Sequence, residues 1–258
     1  MTVEEKKVIM AADYCQPPAG TYLYPLPEGE GRGEGEQHYS RDGQIVNKSI
    51  FRRLWVGISA AVVAFYATVI NRCRIAGGEH IPDQGGVLFV SNHISAYDTV
   101  VLPAVILKYR PWKMVWAPAK EELFSNYLLG VLFRSWGAFP VKRGRDLRAG
   151  KELGRLLKAD AVMLFPEGTR HKDGRLGPGN RGVGKLIYEH QPLVIPVSLS
   201  GLNHWRLGAG GQQATIRFGA PLDCSDLFEL EDKKNTHVLI VERVMAAIGA
   251  GIDVQEHN

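Results

Sequence analysis

The sequence has few cysteines, a small imbalance of charge and no recognisable module for binding metal or nucleic acid. Cys15, Cys73 and Cys224 are odd in number and widely separated, which argues against a disulfide framework and a Cys-x-x-Cys metal site. The histidines do not cluster at the spacing of zinc ligands, so no metal is expected. A formal net charge of +4 over 258 residues is too small to indicate nucleic acid as a partner. The composition favours a reduced protein that faces the cytoplasm.

Acidic residues are missing between Gly43 and Gly78, although five basic residues occur there. Within this segment, the stretch Leu54–Ile70 carries no formal charge. As a helix it would be about 25 Å long, against a hydrocarbon core of about 30 Å. Cations at both ends favour a helix that dips into one leaflet and returns. A transmembrane span and a buried core helix are the alternatives. We therefore predict a membrane-associated apolar helix within residues 45–78.

The segment before this helix has little apolar content. Residues 1–44 are polar, and the part from Pro25 to Glu36 consists mostly of proline, glycine and glutamate. Such a segment cannot bury enough apolar surface to offset the entropy of ordering, so we predict a disordered leader. No hydrophobic stretch follows its first basic residues, so it is not a signal peptide.

From residue 79 to the end, short apolar runs alternate with longer periodic segments. The composition, 45% hydrophobic and 22% charged, is typical of a globular enzyme. The pattern predicts strands near 86–91, 113–117, 137–141, 161–165, 193–199 and 213–218, and helices near 98–108, 121–134, 146–158, 181–189 and 233–249. This alternation predicts an α/β fold, a layered domain with a largely parallel or mixed central sheet flanked by helices. The apolar surface of helix 121–134 is either ordinary core or the lining of an acyl groove.

A histidine and a carboxylate follow the first of these strands. His93 and Asp98 are five residues apart, a spacing that on an unbroken helix would point the side chains about 140° apart. We therefore predict that His93 lies in the turn and Asp98 in the first turn of the helix, with Ser95 as the N-cap. A neutral imidazole oriented by a carboxylate is suited to general-base catalysis. The dipeptide Asn203-His204 has no acid five residues on.

Two further strand ends carry cations beside glycines. Phe165-Pro166-Glu167-Gly168-Thr169-Arg170 follows one apolar run, and Gly137 to Arg143 ends another. Arginine binds phosphate oxygens through two parallel hydrogen bonds, and glycine lets the backbone approach a ligand. Since an open α/β sheet builds its site at the strand ends, these loops predict an anion site. Solvated surface arginines are the alternative.

These segments resemble the ordered blocks of the glycerolipid acyltransferases, in particular the 1-acyl-sn-glycerol-3-phosphate acyltransferase family. The resemblance extends over about residues 80–220 and includes the run Val194-Ile195-Pro196-Val197. It implies that His93 is the base for the acceptor hydroxyl and Asp98 its partner, and that the last block is a structural strand on the acyl side. The residues expected to hold the glycerol phosphate are Arg143, Glu167, Gly168, Thr169 and Arg170.

The resemblance further implies the reaction and its partners. The expected reaction moves a fatty acyl group from acyl-CoA or acyl carrier protein to a lysophospholipid acceptor at a membrane surface. No cofactor is expected. Family members often carry Phe-Lys beyond the third block, whereas this chain has Arg181 in that region, which leaves the head group open. The preferred acceptor is 1-acyl-glycerol 3-phosphate; the alternatives are glycerol 3-phosphate, another lysophospholipid and an amino-acid lipid. A hydrolase and a non-catalytic lipid-binding module of the same fold are also compatible with the motifs.

Overall fold

The computed structural model describes residues 38–39, 45–46, 50–142 and 147–252. The chain divides into two units, residues 1–47 and 48–258. In the first unit, strands β1 (His38–Tyr39) and β2 (Ile45–Val46) pair antiparallel. Most of the leader predicted over residues 1–44 lies outside the described residues, and its disorder stays a prediction.

The second unit is built on a sheet of seven strands. They are β3 (Arg74–Ala76), β4 (Val87–Ser91), β5 (Val115–Lys120), β6 (Ala138–Val141), β7 (Ala161–Leu164), β8 (Leu193–Ser200) and β9 (Thr215–Phe218). Their order across the sheet is β3-β9-β8-β4-β7-β5-β6. Only β8 and β9 pair antiparallel, and every other neighbouring pair in this sheet is parallel. The prediction of a largely parallel, mixed sheet is confirmed.

Helices flank this sheet. They are α1 (Ile50–Phe65), α2 (Asp98–Tyr109), α3 (Tyr127–Ser135), α4 (Leu147–Leu156), α5 (Arg181–His190), α6 (Ser225–Phe228) and α7 (Lys234–Ala250). A π-helical turn, Tyr66–Ile70, extends α1, and 3-10 turns occur at Gly78–His80, Glu121–Phe124 and Leu202–His204. The division of the chain at residues 78 and 79 stays a prediction.

Strand β4 forms the centre of the sheet and is buried on both faces. All five of its residues are buried, as expected for a strand with parallel neighbours on both sides and helices above and below. Because side chains alternate along a strand, Val87 and Phe89 join the apolar cluster around α2, while Leu88 and Val90 join the cluster around α5 and α7. The strand is therefore fixed from both faces, and so is the loop that follows it.

The register of the sheet brings two distant loops together. In the parallel pairing of β4 with β7, Val90 lies opposite Leu164. His93 is three residues beyond Val90, and Glu167 is three residues beyond Leu164. The two residues therefore leave adjacent strands at the same edge of the sheet and at the same height.

Two expectations about local structure are wrong, and one strand was missed. The predicted helix 121–134 is split, because Asn126 caps a new helix by accepting a hydrogen bond from Leu129 N at 3.1 Å. Strand β3 was not predicted, since three residues are too few to show an alternating pattern. Ser95 is not the N-cap of α2. That position is Tyr97, and the Ser95 hydroxyl accepts the backbone N–H of Tyr97 instead.

Candidate active site

The imidazole of His93 lies against the carboxylate of Asp98, where the loop after β4 enters α2. The distance from Nδ1 of His93 to Oδ2 of Asp98 is 2.9 Å. The histidine side chain is 13% exposed and the aspartate is fully buried. When Nδ1 donates its proton to the carboxylate, Nε2 is left as the basic atom of the ring. The predicted base and its partner are thus in hydrogen-bond contact.

Asp98 also organises the loop that carries His93. The same oxygen, Oδ2, accepts the backbone N–H groups of Ile94 at 2.6 Å and Ser95 at 2.7 Å. The carboxylate therefore folds the turn back on itself. The same oxygen holds both the backbone of the turn and the imidazole. An acid in the first turn of α2 is further stabilised by the positive end of the helix dipole.

The loop after β7 holds His93 from the other side. The backbone N–H of His93 donates to Oε2 of Glu167 at 2.6 Å, and the backbone N–H of His171 donates to the carbonyl of His93 at 2.7 Å. The other oxygen of Glu167 accepts the N–H of Gly177 at 2.7 Å. Glu167 thus joins three stretches of chain around the histidine. Both of its oxygens are engaged by backbone donors.

Two supporting residues were not singled out for these roles from the sequence. The ring of Phe165 stacks on the imidazole of His93, with centroids 4.0 Å apart and planes inclined by 15°. The buried side chain of Asn92 makes a pair of hydrogen bonds to the backbone of Leu199, which anchors the loop to β8. Both residues lie inside motifs that the sequence did identify. Their partners depend on strand order, which the sequence does not display.

The residues predicted to bind phosphate occupy different settings. Gly168, Thr169 and Arg170 form an exposed turn, in which Gly168 has a φ of 66° that suits glycine. Arg170 directly precedes His171, so its backbone lies next to His93. Arg143 lies outside the described residues. The roles assigned to these residues and to Glu167 stay predictions.

Within the described ranges, no group of three or more histidine, cysteine, aspartate or glutamate side chains is placed to hold a metal ion. Cys73 and Cys224 are free and buried. Burial raises the pKa of Cys73 to about 12 and that of Cys224 to about 11. Neither thiol is suited to be a nucleophile.

The sequence profile of the family described as Acyltransferase matches residues 72–200, a range that contains β3 to β8 and the loops of His93 and Glu167. The chain belongs to this family. It is 34% identical over 155 residues to a chloroplastic 1-acyl-sn-glycerol-3-phosphate acyltransferase of Brassica napus, over 58% of this acyltransferase and 41% of the relative. It is 24% identical over 186 residues to the 1-acyl-sn-glycerol-3-phosphate acyltransferase of Streptococcus pneumoniae, over 70% and 67% of the two chains.

The acyltransferase thus spans about two fifths of the length of the plant relative. A solved structure has a similar fold. The crystal structure of the 1-acyl-sn-glycerophosphate acyltransferase PlsC from Thermotoga maritima superimposes with a TM-score of 0.55 at 20% identity. The superposition covers 77% of this chain and 78% of that one. The predicted family is confirmed by the profile, and the predicted fold by the solved structure.

Proposed function

We propose that this chain transfers a fatty acyl group from a thioester to the free hydroxyl of 1-acyl-glycerol 3-phosphate, giving phosphatidate in phospholipid biosynthesis. The observation that carries the proposal is the 2.9 Å contact between His93 and Asp98 beside the exposed turn Gly168–Arg170. The names of the two aligned relatives support this choice of acceptor. The donor is acyl-CoA or acyl carrier protein.

The reaction follows from the basic atom of His93. Nε2 takes the proton of the acceptor hydroxyl while the hydroxyl oxygen attacks the thioester carbonyl. A carbon–oxygen bond forms, the carbon–sulfur bond breaks, and the imidazolium returns its proton to the departing thiolate. Asp98 stabilises the positive ring through Nδ1. No acyl-enzyme intermediate and no cofactor are needed.

We assign the acceptor phosphate to the basic residues that follow β6 and β7 at the same edge of the sheet. Strand β6 ends at Val141, opposite Lys120 of β5, and its carboxyl end faces the same edge as those of β4 and β7. Lys142 and Arg143 follow it in the sequence, and Arg170 follows β7. Guanidinium groups bind phosphate bidentately, so Arg143 and Arg170 are our choice for the phosphate ligands.

We also propose that the enzyme associates with one leaflet of a membrane, with its catalytic unit on the cytoplasmic side. The helix Ile50–Ile70 has 21 residues with a mean hydropathy of 1.7, and 17% of its apolar window is buried. One side packs on α2, which belongs to the catalytic unit. A helix packed on that unit is better placed to lie in the leaflet than to cross it.

The test is thioester consumption by the full-length protein in detergent, with and without lysophosphatidate. We expect acceptor-dependent turnover that falls about 10² to 10⁴-fold in His93→Ala. Asp98→Asn should also lose turnover, because the amide does not stabilise the imidazolium. His204→Ala, at the exposed histidine of the second Asn-His dipeptide, should keep full activity.

Undiminished turnover in a folded His93→Ala variant would refute the assignment. Equal rates with water alone would show a hydrolase, and faster turnover with glycerol 3-phosphate would replace the acceptor.

A further inference from the structure

An open groove runs between α1 and the end of α2 that is remote from the catalytic pair. Its volume is about 440 Å³, within the range of about 300 to 1,000 Å³ found for ligand sites. Small and apolar side chains line it, among them Gly57, Ala60, Ala61 and Ala64 of α1 and Ala104 and Leu107 of α2. Because the glycine and alanine side chains among them are short, the groove stays open between the two helices.

The groove is distinct from the catalytic site. His93 is held by Asp98 at the first residue of α2, whereas the groove extends along α2 to Lys108 and beyond it to Lys113. Ten residues of helix separate Asp98 from Lys108, a distance of about 15 Å. A molecule in this groove therefore does not take the place of either substrate at the imidazole.

Three basic residues line part of the groove. Arg53, Lys108 and Lys113 all line it, and no acidic residue lies among its described lining residues. The Nε atom of Arg53 is buried and has no hydrogen-bond partner within the described part of the chain. A buried N–H is stabilised when a bound group supplies an acceptor. An anion at this place would supply the acceptor and offset the three positive charges.

We propose that the groove binds one anionic phospholipid of the bilayer, with an acyl chain between α1 and α2 and the phosphate against Arg53, Lys108 and Lys113. The source is a membrane lipid because the groove borders the exposed apolar side of α1, where Ile58 is 63% exposed. Trp112, 59% exposed, lies at the rim, and tryptophan favours the interface between lipid and water. This site rests on the proposed membrane contact and is independent of acyl transfer.

The site is tested by native mass spectrometry of the full-length protein released from detergent. The protein is incubated with a diacyl phosphatidylglycerol or with the matching phosphatidylcholine, without thioester. We expect one phosphatidylglycerol to be retained per chain, at least tenfold more tightly than phosphatidylcholine. The double variant Lys108→Gln, Lys113→Gln should weaken that retention roughly tenfold, since each cation near an anionic head group contributes a few-fold in affinity. Equal retention of the two lipids by the unaltered protein would overturn the proposal.

A matched control removes two lysine charges away from the groove. Lys185 of α5 and Lys234 of α7 are exposed, and the double variant Lys185→Gln, Lys234→Gln should retain the lipid unchanged. If this control weakens retention as much as the groove variant does, the attraction belongs to the overall charge and the proposal is wrong.

Filling the groove tests whether it holds an acyl chain. Ala60→Leu with Ala64→Leu should reduce retention of phosphatidylglycerol at least tenfold. Acyl transfer in detergent should stay unchanged in both groove variants, so the two proposals can fail separately. Retention at the original level in a folded, filled variant would overturn the site. If the filled variant does not fold, the two charge variants, altered only at lysines, decide the question.

Discussion

At the scale of single residues, His93 is fixed through its side chain and its backbone at once. Asp98 binds Nδ1, Glu167 binds the backbone N–H, and His171 binds the carbonyl. With the ring also stacked on Phe165, protein contacts set both the position and the plane of the imidazole. Such preorganisation is what general-base catalysis requires, because a displacement of about 1 Å costs about 10²-fold in rate.

The sequence predicted part of this arrangement. The contact of His93 with Asp98 was foreseeable because both residues lie in one short turn, where spacing decides which side chains meet. The contact of His93 with Glu167 was not, because it depends on β4 pairing with β7 in one register, and strand order leaves no local trace. The resemblance assigns Glu167 to the glycerol phosphate, and that role stays a prediction; in the structure both of its oxygens accept backbone N–H groups.

Replacing the Glu167 carboxylate by an amide should loosen the histidine. In Glu167→Gln, one of the two backbone N–H groups would face an NH₂ donor and lose its acceptor. We expect about 1 to 3 kcal/mol less stability in urea unfolding. We also expect a fall in kcat of about ten- to a hundredfold, with a smaller change in KM. Glu189→Gln, which removes an exposed ion pair with Lys185, is the control and should change neither. A normal kcat in Glu167→Gln would show that the backbone hydrogen bonds of Glu167 are dispensable for catalysis.

The buried thiols should resist alkylation until the chain unfolds. Burial raises the pKa of Cys73 to about 12 and that of Cys224 to about 11, from 9.0. Because the thiolate is the nucleophile, native protein at pH 8 should react with iodoacetamide far more slowly than protein in urea. A Cys15→Ser background removes the third thiol. Equal rates in the two conditions would contradict the burial.

The same shifts predict a dependence of stability on pH. A thiol whose folded pKa is raised keeps its proton in the native state while the unfolded chain loses it. The contribution of the two thiols to stability should therefore be constant below about pH 9 and should decline as the pH rises from 9 towards about 11 to 12. Cys73→Ala, compared with its parent by urea unfolding across this range, should show a shallower decline.

At the scale of elements, the long periodic segments were predicted well and the short ones poorly. Helices α2, α5 and α7 have enough turns for their apolar positions to be recognised. In contrast, β3 consists of three residues, Arg74–Ala76, and is held by pairing with β9. The apolar residues of α3 indicated core or an acyl groove, yet Tyr127 and Leu128 are 79% and 76% exposed. Apolar periodicity identifies a face but does not show what covers it.

Helices α5 and α7 approach closely at one glycine. A Cβ built at Gly184 would lie 2.0 Å from the carbonyl oxygen of His237. Gly184→Ala should therefore force the helices apart and reduce the free energy of unfolding by about 1 to 3 kcal/mol. The control is Gly150→Ala in α4, where a Cβ meets nothing within 4 Å. That change should be neutral or stabilise by up to about 1 kcal/mol, because alanine favours helix. Equal effects in urea unfolding would refute the close contact.

At the scale of the whole molecule, the charged and apolar surfaces have separate roles. The carboxyl ends of β4 and β7 meet at one edge of the sheet and carry the loops of His93 and Glu167, while α1 exposes large apolar side chains along its outer side. Phe51, Ile58 and Val62 are 77%, 63% and 63% exposed. Contiguous apolar surface of this kind marks a contact site for lipid or protein. The basic residues near α1, with no acid between Gly43 and Gly78, favour an anionic leaflet.

This surface should decide whether the protein binds membranes. We expect full-length protein to sediment with vesicles of phosphatidylcholine and phosphatidylglycerol, and Phe51→Glu with Ile58→Glu and Val62→Glu to weaken binding at least tenfold. The reason is that three charges would enter the region of the acyl chains. The matched control places the same charges at exposed apolar residues elsewhere, Leu230, Val238 and Leu239, and should bind as the unaltered protein does. Higher salt should weaken vesicle binding by the unaltered protein and by the control only in part, because salt screens the cations and does not affect apolar burial. Equal loss in the two variants would assign binding to net charge alone, and α1 would then have to be covered by protein.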